Sequence, residues 1–183
     1  MGAILDHIMA RRSIRKFTEE PLSAQDVDSL LKAAMAAPSA SNRRPWEFVL
    51  VDDPDLLAGL RRRLPLGRYP APLAIVVCGN KRRAWPGPPN DFWIQDGAAA
   101  IENMLLAATG MGLGGVWIGV TPLKILARGV AKLLDLPGHV VPLGVVYIGH
   151  PAETKEPRTQ YDPRRVHRNR FGQAYAPPAE PAR

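Results

Sequence analysis

The stretch from about Asp91 to Met111 constrains this chain more than any other. Its core, "AAAIENMLLAATG", is apolar nearly all round, interrupted only by Glu102 and Asn103. A helix without a polar face has to be surrounded, so it belongs at the centre of a layered fold. Directly after it, "GMGLGG" (110–115) reads as a helix C-cap and tight turn leading into a strand, "GVWIGV". These glycines superficially match a dinucleotide-binding fingerprint. That fingerprint follows a strand and opens a helix, because the helix N-terminus holds the pyrophosphate. Here the order is reversed, which excludes it.

The remaining elements alternate. Ile4, Leu5, Ile8 and Met9 form one face of a helix over 3–11. In "PLSAQDVDSLLKAAMAAP", Ser23 is a natural N-cap, Asp26 suits the first turn and Pro38 stops the helix. "WEFVLVD" reads as a strand, and "PDLLAGLRRRL" as a helix opened by Pro54. "LAIVVCG" (73–79) has the unbroken apolarity of a strand covered on both faces. Thr121 is expected to cap a helix with Pro122 at its first position. "VVPLGVVYIG" (140–149) reads as a last strand, where Pro142 favours the start or an edge. Such alternation predicts α/β or α+β architecture around a central sheet. At 183 residues the chain is most simply one domain. From Pro151 the chain becomes rich in Pro and Arg and poor in aliphatics. It has no core of its own there, and Tyr161, Phe171 and Tyr175 suit an arm laid on another surface.

The net charge of +7 raises nucleic acid as a ligand. The cations are scattered, however, and no zinc-finger, RNA-reading or helix-turn-helix pattern accompanies them. The single cysteine, Cys78, lies in an apolar run, which rules out an intrachain disulfide framework and suits a reducing cytoplasm. It also lacks the neighbours a metal site needs. No stretch is apolar for long enough to span a membrane, and Asp6 and His7 spoil the N-terminus as a secretory signal.

Four stretches carry the candidate chemistry. "RRSIRKF" sets Arg11, Arg12 and Arg15 around Ser13 at a helix exit. Guanidiniums and a hydroxyl are suited to phosphate oxygens, although a solvated charge run has the same composition. "PSASNRRPW" (38–46) is a turn-rich loop of small and amide side chains. "GLGGVWIGV" is a strand loosened by glycine, where backbone groups can approach a ligand. "PRTQYDPRRVHRNRF" brings further arginines.

Taken in order, "RRSIRKF … APSASNRRPWEF … QDGAAAIENMLLAATGMGLGGVWIG … LGVVYIGHPAE … PRTQYDPRRVHRNRFG" resembles the nitroreductase family of FMN-dependent oxidoreductases, over residues 4 to 172. The resemblance implies an α+β fold with a central, mainly antiparallel sheet flanked by helices. It implies one FMN-binding domain over 1–172, whose extended arm (151–172) is exchanged in a homodimer, and a flexible tail over 173–183. Arg11, Arg12, Ser13 and Arg15 match the segment that holds the FMN phosphate and ribityl chain. Pro38, Ser39 and Asn42 match a flavin-site segment that many members receive from the partner subunit. Trp117, Ile118 and Gly119 match the strand whose backbone lies against the flavin ring, and Arg158 matches a C-terminal cation that reaches the phosphate. Trp85 and Phe92, in a loop associated with substrate selection, are candidates for stacking on substrate or simply for packing. Two departures stand out: Arg44 replaces a frequent Gln before "PW", and Gln160 replaces a frequent second basic residue after "PRT".

The implied activity is ping-pong. NADH or NADPH gives hydride to flavin N5, then a small acceptor such as a nitroaromatic or quinone takes it, with no catalytic acid, base or nucleophile and no metal. Other chemistry on the same fold is the alternative: reductive dehalogenation, enal or semialdehyde reduction, or oxygen-dependent flavin cleavage. A non-enzymatic flavin carrier or basic nucleic-acid binder is a third reading. The expectation is a cytoplasmic homodimer, its arm and its 97–108 helix covered at a two-fold interface, with no nucleic-acid or membrane partner.

Overall fold

The computed structural model describes residues 2–88 and 91–177. The elements run α1 (Ala3–Ala10), α2 (Ala24–Met35), β1 (Trp46–Val51), α3 (Pro54–Arg63), β2 (Leu73–Asn80), α4 (Phe92–Gly110), β3 (Gly114–Gly119), α5 (Lys124–Leu133) and β4 (Val140–Gly149). Single 3-10 turns lie at Ala40–Asn42 and Pro163–Arg165.

Local chemistry sets most of these boundaries. At α2, Asp26 N donates to Ser23 Oγ at 3.1 Å while Ser23 N donates to the Asp26 carboxylate at 3.3 Å, a reciprocal cap. Asp53 accepts from Asp55 N and Leu56 N, and Pro54 occupies the first position of α3. α4 ends as its glycines require. Leu113 N reaches back to Ala108 O at 2.8 Å across Gly112, whose φ of +73° suits glycine.

One start differs from expectation. α5 begins at Lys124 with Leu123 as its N-cap, and Thr121 caps nothing. Thr121 N donates to Leu143 O at 3.0 Å, and its Oγ1 donates to Pro142 O at 2.8 Å. Both polar groups are therefore tied to β4, and the helix starts only after the chain has left the sheet. The Thr121–Pro122 peptide is cis.

The strands form one sheet in the order β1-β2-β4-β3, every pair antiparallel. The architecture is thus α+β. β2 is central and buried on both faces. Ile75 and Val77 meet α2 and α4 on one side, and Ala74, Val76 and Cys78 meet α3 and α5 on the other. Pro142 sits near the start of β4, a central strand rather than an edge. It lies opposite Cys78, beside the register shift between Val77 and Cys78, where a missing N–H is accommodated.

α4 buries Gly97, Ala100, Ile101, Met104, Leu105 and Ala108. Full burial of Ile101 or Met104 is worth about 2 kcal/mol each. α2 and the sheet provide this cover within the same chain, so the 97–108 segment needs less from a second copy than its composition suggests. The open apolar faces lie elsewhere: α1 buries none of its residues, and Ile4 is 80 % exposed.

The C-terminal segment crosses back over the exit of α1. Thr18 N donates to His150 O, Ala152 N to Lys16 O, and Arg158 N to Met9 O. Further on, Arg168 N donates to Gln173 O and Tyr175 N to Val166 O. Residues 173–177, the first part of the expected tail, therefore fold back on the arm. Residues 178–183 lie outside the described residues.

Candidate functional site

β3 is an edge strand, and its free edge organises the site. Ser13 forms a parallel bridge with Gly115, with Ile14 N donating to Gly115 O at 3.0 Å. The basic loop thus covers the first half of the edge, and the stretch Trp117–Gly119 continues beyond it. Gly115 and Gly119 lie about 13 Å apart along the strand. One edge therefore presents cations at one end and strand backbone at the other.

Each basic residue has a defined setting. Arg11 Nε pairs with Glu102 Oε1 of α4 at 3.1 Å, and Arg12 Nη1 donates to Glu156 O. The Arg15 guanidinium lies 6.0 Å from the centre of the Tyr69 ring and donates to Ser13 O at 3.3 Å. Among the described residues, the Ser13 hydroxyl and the Arg158 guanidinium make no hydrogen bond or ion pair. The Arg158 backbone is tied to Met9 O at 3.1 Å, next to the start of the basic loop.

Two residues missed by sequence reasoning fix this loop. Glu153 Oε1 accepts from Arg15 N at 2.6 Å and from Lys16 N at 3.3 Å, and pairs with Lys155 Nζ at 3.1 Å. Lys155 Nζ also donates to Ser13 O at 2.6 Å. The hydrogen bond from Arg15 N, followed by the one from Lys155, holds the Glu153 carboxyl below its ordinary range. The alternating charges of "ETKEPR" were the available signal, overshadowed by the arginines that follow.

At its far end β3 borders an apolar cleft of about 270 Å³, lined by Leu64, Pro65, Leu66, Trp117, Ile118 and Leu123 among others. Gly119 is exposed there, and a Cβ built on it would meet nothing within 4 Å. This strand end thus leaves room for a planar group to approach the backbone. A cationic end, an open edge and an apolar wall together fit a molecule with an anionic tail and a flat ring.

Pro38, Ser39 and Asn42 are placed apart from this edge. Ala40 N donates to Asp96 Oδ1 at 2.9 Å, which holds the loop at the N-terminal end of α4. Asp96 and Gly110 are about 20 Å apart along that helix, and Ser13 lies beyond Gly110 at Gly115. Ser41, Asn42 and Arg44 all have positive φ, near +50°. Such strain is held by surrounding bonds: Arg44 N donates to Ser39 Oγ at 2.9 Å, and Arg43 Nε donates to Arg83 O at 2.9 Å.

Pro38, Ser39, Phe92 and Asp96 line a separate cleft of about 350 Å³. Trp85 packs edge-on against Phe92 with ring centres 6.3 Å apart, and both remain about two-fifths exposed. The candidate residues therefore form two groups within one chain, a clamp-and-edge group and a loop-and-aromatic group.

Asp96 is a third residue that sequence reasoning missed. It is 5 % exposed, and its Oδ2 has no partner among the described residues. Burial pushes its carboxyl upward, partly offset by the bond from Ala40. Cys78 is pushed up to about 12 by burial and by nearby Glu47, and it lies in the core, away from both groups.

Comparison with known proteins agrees with this geometry. The model of the Nitroreductase family matches residues 8–64 and 67–150. A relative from Methanothermobacter thermautotrophicus, provisionally named an NADH dehydrogenase/NAD(P)H nitroreductase, is 40 % identical over 90 % of this chain and 85 % of its own length. A crystal structure from Parabacteroides distasonis, provisionally named in the same way, superposes with a TM-score of 0.87 at 38 % identity, covering 93 % of this chain and all of the other. A provisionally named nitroreductase from Desulfovibrio desulfuricans, solved in complex with FMN, gives a TM-score of 0.73 at 30 % identity, over 87 % and 92 % of the two chains. With most of its length matched by the family model and a relative 40 % identical over 90 % of the chain, the chain belongs to the nitroreductase family.

Proposed function

We infer that this protein is an FMN-dependent NAD(P)H oxidoreductase that acts on a small electron acceptor and works as a homodimer. The observation that carries this reading is the shared β3 edge, with Ser13 bridged to Gly115 and Trp117–Gly119 open beyond it. Bound there, FMN supplies reversible two-electron carriage between NAD(P)H and the acceptor.

The chain's own residues do the rest. Arg12, Arg15 and Arg158, with the Ser13 hydroxyl, neutralise and orient the phosphate. Glu153 and Lys155 pin the backbone of the clamp, so its donors are set before the ligand arrives. The Trp117–Gly119 backbone offers fixed peptide dipoles to the ring edge, favouring negative charge there. Leu64, Leu66 and Leu123 provide apolar walls that exclude water.

Arg11, paired with Glu102, anchors the clamp to α4. Pro38, Ser39 and Asn42, with Phe92 and Trp85, complete the site of a second copy. Their separation from the clamp within one chain supports that arrangement, as do the uncovered apolar residues of α1. No helix among the described residues is long and apolar enough to cross a membrane.

The test is an absorption spectrum of the purified protein between about 300 and 550 nm, repeated anaerobically with NADH and then NADPH. A flavin band that bleaches with either nucleotide is expected. A protein that stays colourless after incubation with FMN would overturn the reading. Light scattering at micromolar concentration is expected to give a dimer, and a monomer would refute the shared site.

A further inference from the structure

The run "RRR" at 61–63 closes α3. Arg61 and Arg62 lie in the last turn of α3, and Arg68 lies in the loop that follows. With Ala58, these three arginines line a single cleft of about 450 Å³. Arg63 is engaged differently, its Nη1 donating to Gly59 O of its own helix at 3.1 Å. Among the described residues, none of Arg61, Arg62 and Arg68 lies within ion-pair distance of a carboxylate.

The helix dipole accounts for cations in the last turn of α3. It does not account for Arg68, which lies beyond the helix and borders the same cleft. Three guanidiniums around one cleft repel one another, and an anion between them would relieve that repulsion.

Position gives the anion its identity. The segment that carries these arginines also builds the wall of the β3 cleft. Leu64, Pro65 and Leu66 line that cleft, and Gly67 packs so closely on Ile118 that a Cβ would lie 3.0 Å from its side chain. Residues 61–68 thus border the ring end of the proposed flavin site with one set of side chains and a cationic cleft with another. A reductant that places one end in the apolar cleft and an anionic end beyond it has the shape of a nicotinamide dinucleotide.

We propose that Arg61, Arg62 and Arg68 form an anion site for the phosphates at the adenosine end of the reducing dinucleotide. This favours NADPH, which carries an additional phosphomonoester, over NADH. The proposal rests on the flavin oxidoreductase reading above.

The test is calorimetric titration of the protein as purified with adenosine 2′,5′-bisphosphate and with AMP. It is repeated on the double variant Arg62→Gln/Arg68→Gln and on Arg63→Gln, after thermal melting confirms that each is folded. The wild type is expected to bind the bisphosphate at least about tenfold more tightly than AMP. The double variant should lose that gap and Arg63→Gln should keep it. Equal affinities in the wild type would overturn the proposal, as would an unchanged gap in the double variant or displacement of the bisphosphate by inorganic phosphate at matching concentration. Failure of the flavin reading is a separate result, a colourless protein, because these titrations do not depend on flavin reduction.

Discussion

Two alanine substitutions on neighbouring strands, Gly144→Ala and Gly119→Ala, should separate folding from cofactor binding. Gly144 and Gly119 are paired across β4 and β3, but their surroundings differ. A Cβ on Gly144 would lie 2.8 Å from Trp117 Cδ1, closer still to Nε1, and 3.0 Å from Ile118 O. Ordinary contact begins near 3.4 Å, so the indole would have to retreat by more than about 1 Å. The indole is partly exposed and can give way, but the Ile118 carbonyl belongs to the strand. Overpacking of this kind costs about 1–3 kcal/mol. For a chain of this size that lowers Tm by about 2–12 °C.

A Cβ on Gly119 meets nothing, so its effect on stability should stay within about 1 kcal/mol. It would, however, occupy the open edge proposed for the flavin ring. The assay is a pair of apo-protein melts together with flavin content from absorbance. Gly144→Ala should melt early, and Gly119→Ala should melt normally but bind FMN poorly. A fully yellow Gly119→Ala protein with an unaltered spectrum would refute the placement of the ring edge, and a normal melt for Gly144→Ala would refute the packing argument.

Replacing Arg12 and Arg15 together by Ala should yield a colourless but folded protein; full flavin occupancy in that double variant would remove the phosphate clamp. Glu153 titrates below its unfolded value, so its stabilising contribution is present above the ordinary carboxylate range and lost as pH falls through the lowered folded value. Flavin retention should therefore weaken only as the pH is taken below the ordinary carboxylate range, and Glu153→Gln should show that weaker retention at neutral pH without the acid transition. Cys78, buried and with its pKa pushed up to about 12, should react with alkylating reagents only through global unfolding. A labelling rate that does not follow denaturant-induced unfolding would contradict its placement in the core.

Helix and strand identities were legible because caps, prolines and apolar runs act locally. Ser23, Asp53 with Pro54, and the glycines after α4 each do in the structure what their residue types favour. Thr121–Pro122 looked like a helix start by the same rules, but bonds to Leu143 and Pro142, distant in sequence, decide its conformation. Pro142 lies near the start of its strand, as its residue type favours, but the register shift opposite it, which admits proline in a central strand, is supplied by β2 and could not be read locally. The cationic loop was visible as composition. Its support by Glu153 and Lys155 was not, because those partners lie well over a hundred residues away along the chain. Asp96 was hidden for a related reason: its partner, Ala40 N, is a backbone group without a sequence signature.

α4 holds both groups of candidate residues, through Asp96 near one end and through Glu102 and Leu106 further along, where His7 Nε2 lies 2.9 Å from Leu106 O. The helix therefore acts as a measuring rod between the two groups, which on the reading proposed above belong to different sites of a dimer. A single residue inserted between Asp96 and Glu102 would turn everything beyond it by about 100° and lengthen the rod by about 1.5 Å. Arg11 and Ala40 would then lose their common frame. Over evolutionary time the length of this helix should be held constant, while the connection between Asn80 and α4 is free to gain and lose residues. Changes of length in that connection would leave the spacing of the two groups along α4 undisturbed.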